Sequence, residues 1–258
     1  MPEWGTRPAN HYLPRRRTQI TLHPEDLQRA ANPLKVDGKE PAPLVPGRED
    51  FAIDVREDGR TIRAYCEMQE GALTRDAGWT LDASHRPIEG HVRVVQAGRL
   101  VGSSFYHFDG DATECEAFTA LRGRVSQRLQ GRAEYLGLHP LVGDGMIALA
   151  RGRDAPGEER MIQSVTCSYD IKGESSLVAL PLAIGVRYVG PDDVTVPAGR
   201  FAADRYELRW QPQWPAAHLW VHGEDAVFLR LRWEVSGLDS QLVRIATSRQ
   251  PQSPQFDW

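Results

Sequence analysis

The stretch Val194–Val235, VTVPAGRFAADRYELRWQPQWPAAHLWVHGEDAVFLRLRWEV, decides the fold. It reads as three consecutive antiparallel strands. Arg200–Trp210 is entered through the turn Pro197-Ala198-Gly199, and Ala217–His222 is set off by Pro212 and Pro215. Ala226–Val235 follows across Gly223-Glu224-Asp225, a loop of hairpin length. In this last strand Val227, Leu229, Leu231, Trp233 and Val235 fall on one face, with Arg230, Arg232 and Glu234 on the other. That is a period of two, which a helix does not produce.

Upstream, the same texture begins at Phe51. FAIDVRED and RTIRAYCEMQ form a hairpin about Glu57-Asp58-Gly59, with Ile62, Ala64, Cys66 and Met68 on the apolar side. ALTRDAGWTLDAS, PIEGHVRVVQAGR and LVGSSFYHFDG continue it, separated by tight turns without helical spacers, which indicates a meander rather than parallel βαβ units. The section 111–138 admits either a helix through Leu121, Val125 and Leu129 or two polar strands broken at Gly123 and Gly131. The strand-length spacing of the glycines favours strands. His139–Gly145 reads as a loop, and RGRDAPGEER as an exposed hairpin tip. SVTCSYDIKG and LVALPLAIGVRYVG then lead into the opening stretch.

The expected architecture is all-β: a large antiparallel meander of about ten to twelve strands, closed or half-closed into a barrel around an internal cavity. Residues 1–48 form an N-terminal Pro-rich arm with one short helix, HPEDLQRAA, started by Pro24 and stopped at Asn32-Pro33. The β-barrel domain spans 49–248, and 249–258 is a polar tail.

Bulk properties narrow the function. A formal charge of -4 over 258 residues lacks the basic excess of a general nucleic-acid binder, so no nucleic-acid partner is expected. Arg15-Arg16-Arg17 is read as a solvated charge run. The basic N-terminus is not followed by an apolar signal core, and there is no run long enough to span a bilayer, which predicts a cytoplasmic protein without a membrane partner. Cys66, Cys115 and Cys167 lie far apart and are read as buried, reduced thiols.

VTVPAGRFAADRYEL followed by LWVHGEDAVFLRLRW resembles the C-terminal half of a group of bacterial antiparallel β half-barrel proteins of unknown function. The matching residues are Val196, Pro197, Ala198, Gly199 and Phe201 in the turn and strand, then Leu219, Trp220, Val221, Glu224 and Asp225. The resemblance implies a fold and carries no catalytic residues. Many members of that group look exported, whereas no export signal is expected in this sequence.

No GxSxG, HExxH, P-loop or GxGxxG-helix pattern is present, which removes the common hydrolase, metalloprotease and nucleotide-binding readings. His218 and His222 would stand about 13 Å apart along a strand, too far to share a metal, so neither a metal site nor a cofactor is expected. The chemistry is sought instead in polar residues on otherwise apolar faces. His107 alternates with Val101, Ser103 and Phe105; Tyr169 with Val165, Cys167 and Ile171; Tyr188 with Leu182, Ile184 and Val186. An imidazole and two phenols inside one cavity can transfer protons and stabilise an oxyanion. The bland alternative makes each a core residue with one satisfied hydrogen bond.

Tyr206, Trp220 and Trp233 would line an aromatic-accepting pocket, with His139 and Asp144 on a loop at its mouth. Arg187, Arg230 and Arg232 are placed on the solvent side. These residues suggest a cofactor-independent lyase or isomerase acting on a bulky apolar, aromatic small molecule. The competing expectations are a barrel that binds a hydrophobic ligand or lipid unchanged, and a scaffold that dimerises through the N-terminal arm.

Overall fold

A computed structural model describes residues 47–68, 72–235 and 237–246. The fold is all-β, with two seven-stranded sheets, one of them a curled half-barrel, and a single short helix among the described residues. The first sheet is an antiparallel meander in strict chain order: β1 (Arg48–Arg56), β2 (Gly59–Met68), β3 (Leu73–Asp82), β4 (Pro87–Gln96), β5 (Arg99–Asp109), β6 (Ala112–Thr119) and β7 (Gly123–Gln130). Residues 111–138 are therefore strands, as the glycine spacing suggests. The second sheet holds β8 (Tyr135–Gly137), β9 (Glu159–Thr166), β10 (Leu180–Val196), β11 (Gly199–Arg209), β12 (Ala217–His222), β13 (Val227–Trp233) and β14 (Leu238–Gln241). Its one parallel pair is β8 with β9, and the chain makes that crossover through helix α1 (Leu141–Arg151).

The single meander expected from sequence is thus two sheets, which part between β7 and β8, and within the second the chain passes from β8 to β9 through α1, where the sequence reads as a loop. Gly143 and Gly145 concealed it. A Cβ on Gly143 would stand 3.1 Å from the Trp79 ring, and one on Gly145 would stand 2.9 Å from the carbonyl oxygen of Ala226. The glycines let the helix lie close to both sheets, and that packing outweighs their poor helix propensity. The helix read at 23–31, with most of the arm and the whole C-terminal tail, lies outside the described residues.

The core runs between the sheets as one cluster that includes Ile62, Trp79, Val92 and Tyr106 of the first sheet, Val142 and Ile147 of the helix, and Ile184, Tyr206 and Leu219 of the second. The decisive stretch folds into β11, β12 and β13 as read, except at one bulge. Trp220 pairs with Arg230 but Val221 pairs with Phe228, leaving Leu229 as the extra residue. Phe228, Leu231 and Trp233 therefore join the main core, while Leu229 packs with Val194, Val196 and Ala203 in a separate cluster.

Candidate functional site

His107 does not enter the interior. In β5 the core side is taken by Gly102, Ser104 and Tyr106, which pair with Val94, Val92 and Gly90, and His107 is exposed beside the 47% exposed Phe105. Both faces of β5 carry aromatics, so alternation alone did not settle which side is inside; the buried valines of β4 did. Tyr169 lies beyond the end of β9, and its hydroxyl donates to the carbonyl of Pro181 at 2.6 Å. Tyr188 is buried, as expected, and donates to Asp204 Oδ1 at 2.9 Å. Two of the expected residues meet: the Tyr188 and Tyr206 rings are 5.1 Å apart, with the Tyr206 hydroxyl donating to the carbonyl of Gly152.

Trp233 packs between Trp210 and Trp214 and donates to the carbonyl of Pro215 at 3.0 Å. Trp220 lies instead among the cations of the other face. The guanidinium groups of Arg205 and Arg230 lie 5.8 and 5.5 Å from its ring, and its indole N–H donates to Asp192.

A polar cluster lies at the N-terminus of α1, and of its residues His139 and Asp144 are the ones expected at a site. Glu49 reaches from β1 to accept the backbone N–H groups of Leu141 at 2.7 Å and Val142 at 2.9 Å, taking the place of a capping side chain from the helix itself. The Cys66 thiol donates to the same carboxylate at 3.4 Å. Arg75 of β3 is 2% exposed, gives one N–H to the carbonyl of Lys172, and has no partner for Nε among the described residues. His139 enters the helix in a left-handed conformation, φ 75°, with Nε2 3.1 Å from the carbonyl of Ser168. That carbonyl can only accept, so Nε2 carries the proton and Nδ1 keeps the lone pair.

Burial and charge distribute the protons. Desolvation, then the positive charge of Arg75, pushes the His139 imidazole down to about 3, so it is neutral at ordinary pH. Desolvation raises Glu49, although the helix N–H groups oppose the shift. Asp144, in the first turn of α1, is held well above the usual carboxylate range by desolvation and then by the charge of Glu49. Cys66, Cys115 and Cys167 are free, buried thiols, all raised by desolvation, Cys115 and Cys167 to about 12. They are unreactive as nucleophiles in this state.

Glu49 and Arg75 did carry a sequence signal. Arg75 alternates with Leu73, Ala77, Trp79 and Leu81, and Glu49 with Phe51, Ile53 and Val55. A charged residue on an apolar face marks an interior site as surely as a histidine there does.

No family model matches the chain. A stretch of 35 residues, 14% of the chain, is 67% identical to one subunit of the sulfite dehydrogenase of Allochromatium vinosum, and the chain matches 15% of that protein's length. Among solved structures, the chain is similar to a DUF1089 family protein from Pseudomonas aeruginosa, with TM-score 0.46 and 11% identity, covering 76% of this chain and 95% of that one. It is also similar to a beta-barrel-like protein of domain of unknown function DUF1849 from Brucella abortus, with TM-score 0.47 and 9% identity, covering 72% of this chain and 81% of that one. Both are bacterial proteins of unknown function, like the group that the Val196–Asp225 motifs resemble.

Among the described residues, no group of three or more His, Cys, Asp or Glu side chains is arranged to hold a metal ion, and no helix is long and apolar enough to cross a membrane.

Proposed function

We propose that the cluster at the start of α1 is an acid–base site at which a small, largely apolar molecule undergoes proton transfer of the lyase or isomerase type. One observation carries this reading: Glu49 of β1 caps the helix whose first turn holds Asp144, and the buried Arg75 of β3 lies close to His139, since a Cβ on Gly173 would stand 2.8 Å from Arg75 Nη2 and 2.3 Å from His139 Cγ. Perturbed titrating groups gathered in this way are the mark of a chemical site. Asp144, whose desolvation favours the protonated carboxyl, is the proton donor. His139, neutral with Nδ1 unprotonated, is an acceptor, and Arg75 faces negative charge that develops on the substrate.

The test is mass spectrometry of a small-molecule extract incubated with the protein and with Asp144→Asn and His139→Gln variants. A compound consumed by the unmodified protein and spared by Asp144→Asn supports the reading. Equal consumption by all three, or none by any, rejects it.

A second reading, a barrel that holds a hydrophobic ligand unchanged, is favoured by a different feature. Trp210, Trp214 and Trp233 pack together, and the buried indole N–H of Trp214 has no acceptor among the described residues. An apolar ligand with one acceptor atom would complete that group. Such a ligand would co-purify with the protein unaltered and be lost from Trp214→Phe.

A further inference from the structure

The segment between β9 and β10, residues 167–179, makes no strand pairing and crosses the acid–base cluster. Its far end is anchored to the first sheet: Ser104 and Tyr106 donate to the carbonyls of Leu177 and Val178, and Gln127 donates to that of Ala179. The tip, Asp170–Ser176, is held through side chains: Gln96 of β4 donates to Glu174 at 3.4 Å, and the Ser168 and Ser175 hydroxyls share a hydrogen bond at 3.0 Å. Asp170 closes a local turn by accepting the N–H groups of Lys172 and Gly173, and the Lys172 carbonyl accepts from Arg75 Nη2. Gly173, at φ 64°, is pressed against the site so closely that a Cβ there would lie 2.3 Å from His139 Cγ and 2.8 Å from Arg75 Nη2. Ser176 and Leu177, at φ 64° and 48°, are left-handed residues where the tip joins the anchored part.

Arg75 shows what this tip covers. Nε and Nη2 form one edge of the guanidinium, the edge on which a carboxylate makes two parallel hydrogen bonds. Here Nη2 meets the single oxygen of Lys172 from the tip, and Nε has no partner among the described residues. No hydrogen bond joins Glu49 to this edge; its oxygens accept the helix N–H groups and the Cys66 thiol. One peptide carbonyl thus fills half of the carboxylate-binding edge of a buried guanidinium.

We infer that the Nε–Nη2 edge of Arg75 binds the carboxylate of a small-molecule ligand, and that Asp170–Ser176 is a lid whose Lys172 carbonyl that carboxylate displaces. This deepens the acid–base reading by giving its substrate an anionic group, and it rests on that cluster being a small-molecule site.

The experiment is calorimetric titration of the full chain with benzoate and with its uncharged counterpart benzamide, repeated on Arg75→Lys and Gly173→Ala, with amide hydrogen exchange at Lys172 and Gly173. Benzoate is expected to bind saturably and benzamide not, with faster exchange at both amides once benzoate is bound. Arg75→Lys is expected to weaken benzoate at least about tenfold, since an ammonium cannot present the two-pronged edge. Gly173→Ala is expected to strengthen it about tenfold, because a left-handed alanine pressed on His139 raises the closed lid relative to the open one.

The last variant keeps the test decisive even if Arg75→Lys does not fold. Absence of benzoate binding to both the unmodified protein and Gly173→Ala overturns the inference, as does an affinity that Gly173→Ala lowers. Benzoate binding without any Asp144-dependent turnover leaves the lid standing and removes the acid–base reading; Asp144-dependent turnover without benzoate binding does the reverse.

Discussion

The carboxylate of Glu49 accepts the backbone N–H of Val142 at 2.9 Å, so the edge strand of one sheet caps the helix that links β8 to β9 in the other. Capping from a distant strand joins the stability of the two halves, because loss of either partner exposes orphan N–H groups in a dry place. Glu49→Gln keeps one acceptor oxygen and loses the charge, and is expected to cost about 1 kcal/mol; Glu49→Ala is expected to cost about 2 kcal/mol. Urea denaturation followed by both tryptophan fluorescence and far-UV dichroism checks this. A zero cost for Glu49→Ala would mean the cap does not hold the halves together.

His139 makes stability fall with acid. Its imidazole is depressed to about 3 in the fold and returns to near 6.5 when unfolded, so its contribution is complete above about pH 6.5. Between those values the unfolded chain binds a proton that the native protein does not. Stability from this group is lost there at a limiting slope of about 1.4 kcal/mol per pH unit. Glu49 and Asp144 act oppositely: raised carboxyls contribute most below their unfolded values, and that contribution is lost as pH rises through their folded ones. Comparing denaturation midpoints of the unmodified protein and His139→Gln at pH 7, 5 and 4 isolates the histidine. The variant is expected to show the shallower loss on acidification.

His107 and Tyr188 are expected to separate in a mutational comparison. His107→Ala removes an exposed side chain and should change stability by less than about 0.5 kcal/mol. Tyr188→Phe removes the hydrogen bond to Asp204, whose other oxygen is held by Arg153 at 2.7 Å, and should cost about 1 kcal/mol. Thermal melts of both variants decide it. A large loss in His107→Ala would place that imidazole inside.

Trp214 carries a buried N–H with no acceptor among the described residues, and a phenylalanine removes that liability along with some apolar contact. The two effects oppose, so Trp214→Phe is expected to stay within about 1 kcal/mol of the unmodified protein, while Trp214→Ala should lose about 3 kcal/mol or more. Equilibrium unfolding of the pair measures the difference.

Period-two alternation and turn residues determined the strands. Such patterns are local, and a strand with one wet face must repeat every second residue wherever it sits. The stretch from Val194 to Val235 and the strands on either side of Gly123 were therefore legible without coordinates. Three things were not, and each depends on residues far apart in sequence. Leu141–Arg151 is helical because Gly143 and Gly145 sit against Trp79 and Ala226, neighbours that no window around the helix contains. The inner face of β5 was settled by Val92 and Val94 in the paired strand, which is why Tyr106 is buried and His107 is not. Glu49 and Arg75 could be seen as charges on apolar faces, but their convergence on His139 and Asp144 is a product of the tertiary fold. Only packing the first sheet against the helix places the buried Arg75 guanidinium, whose Nε has no partner among the described residues, close to the imidazole of His139.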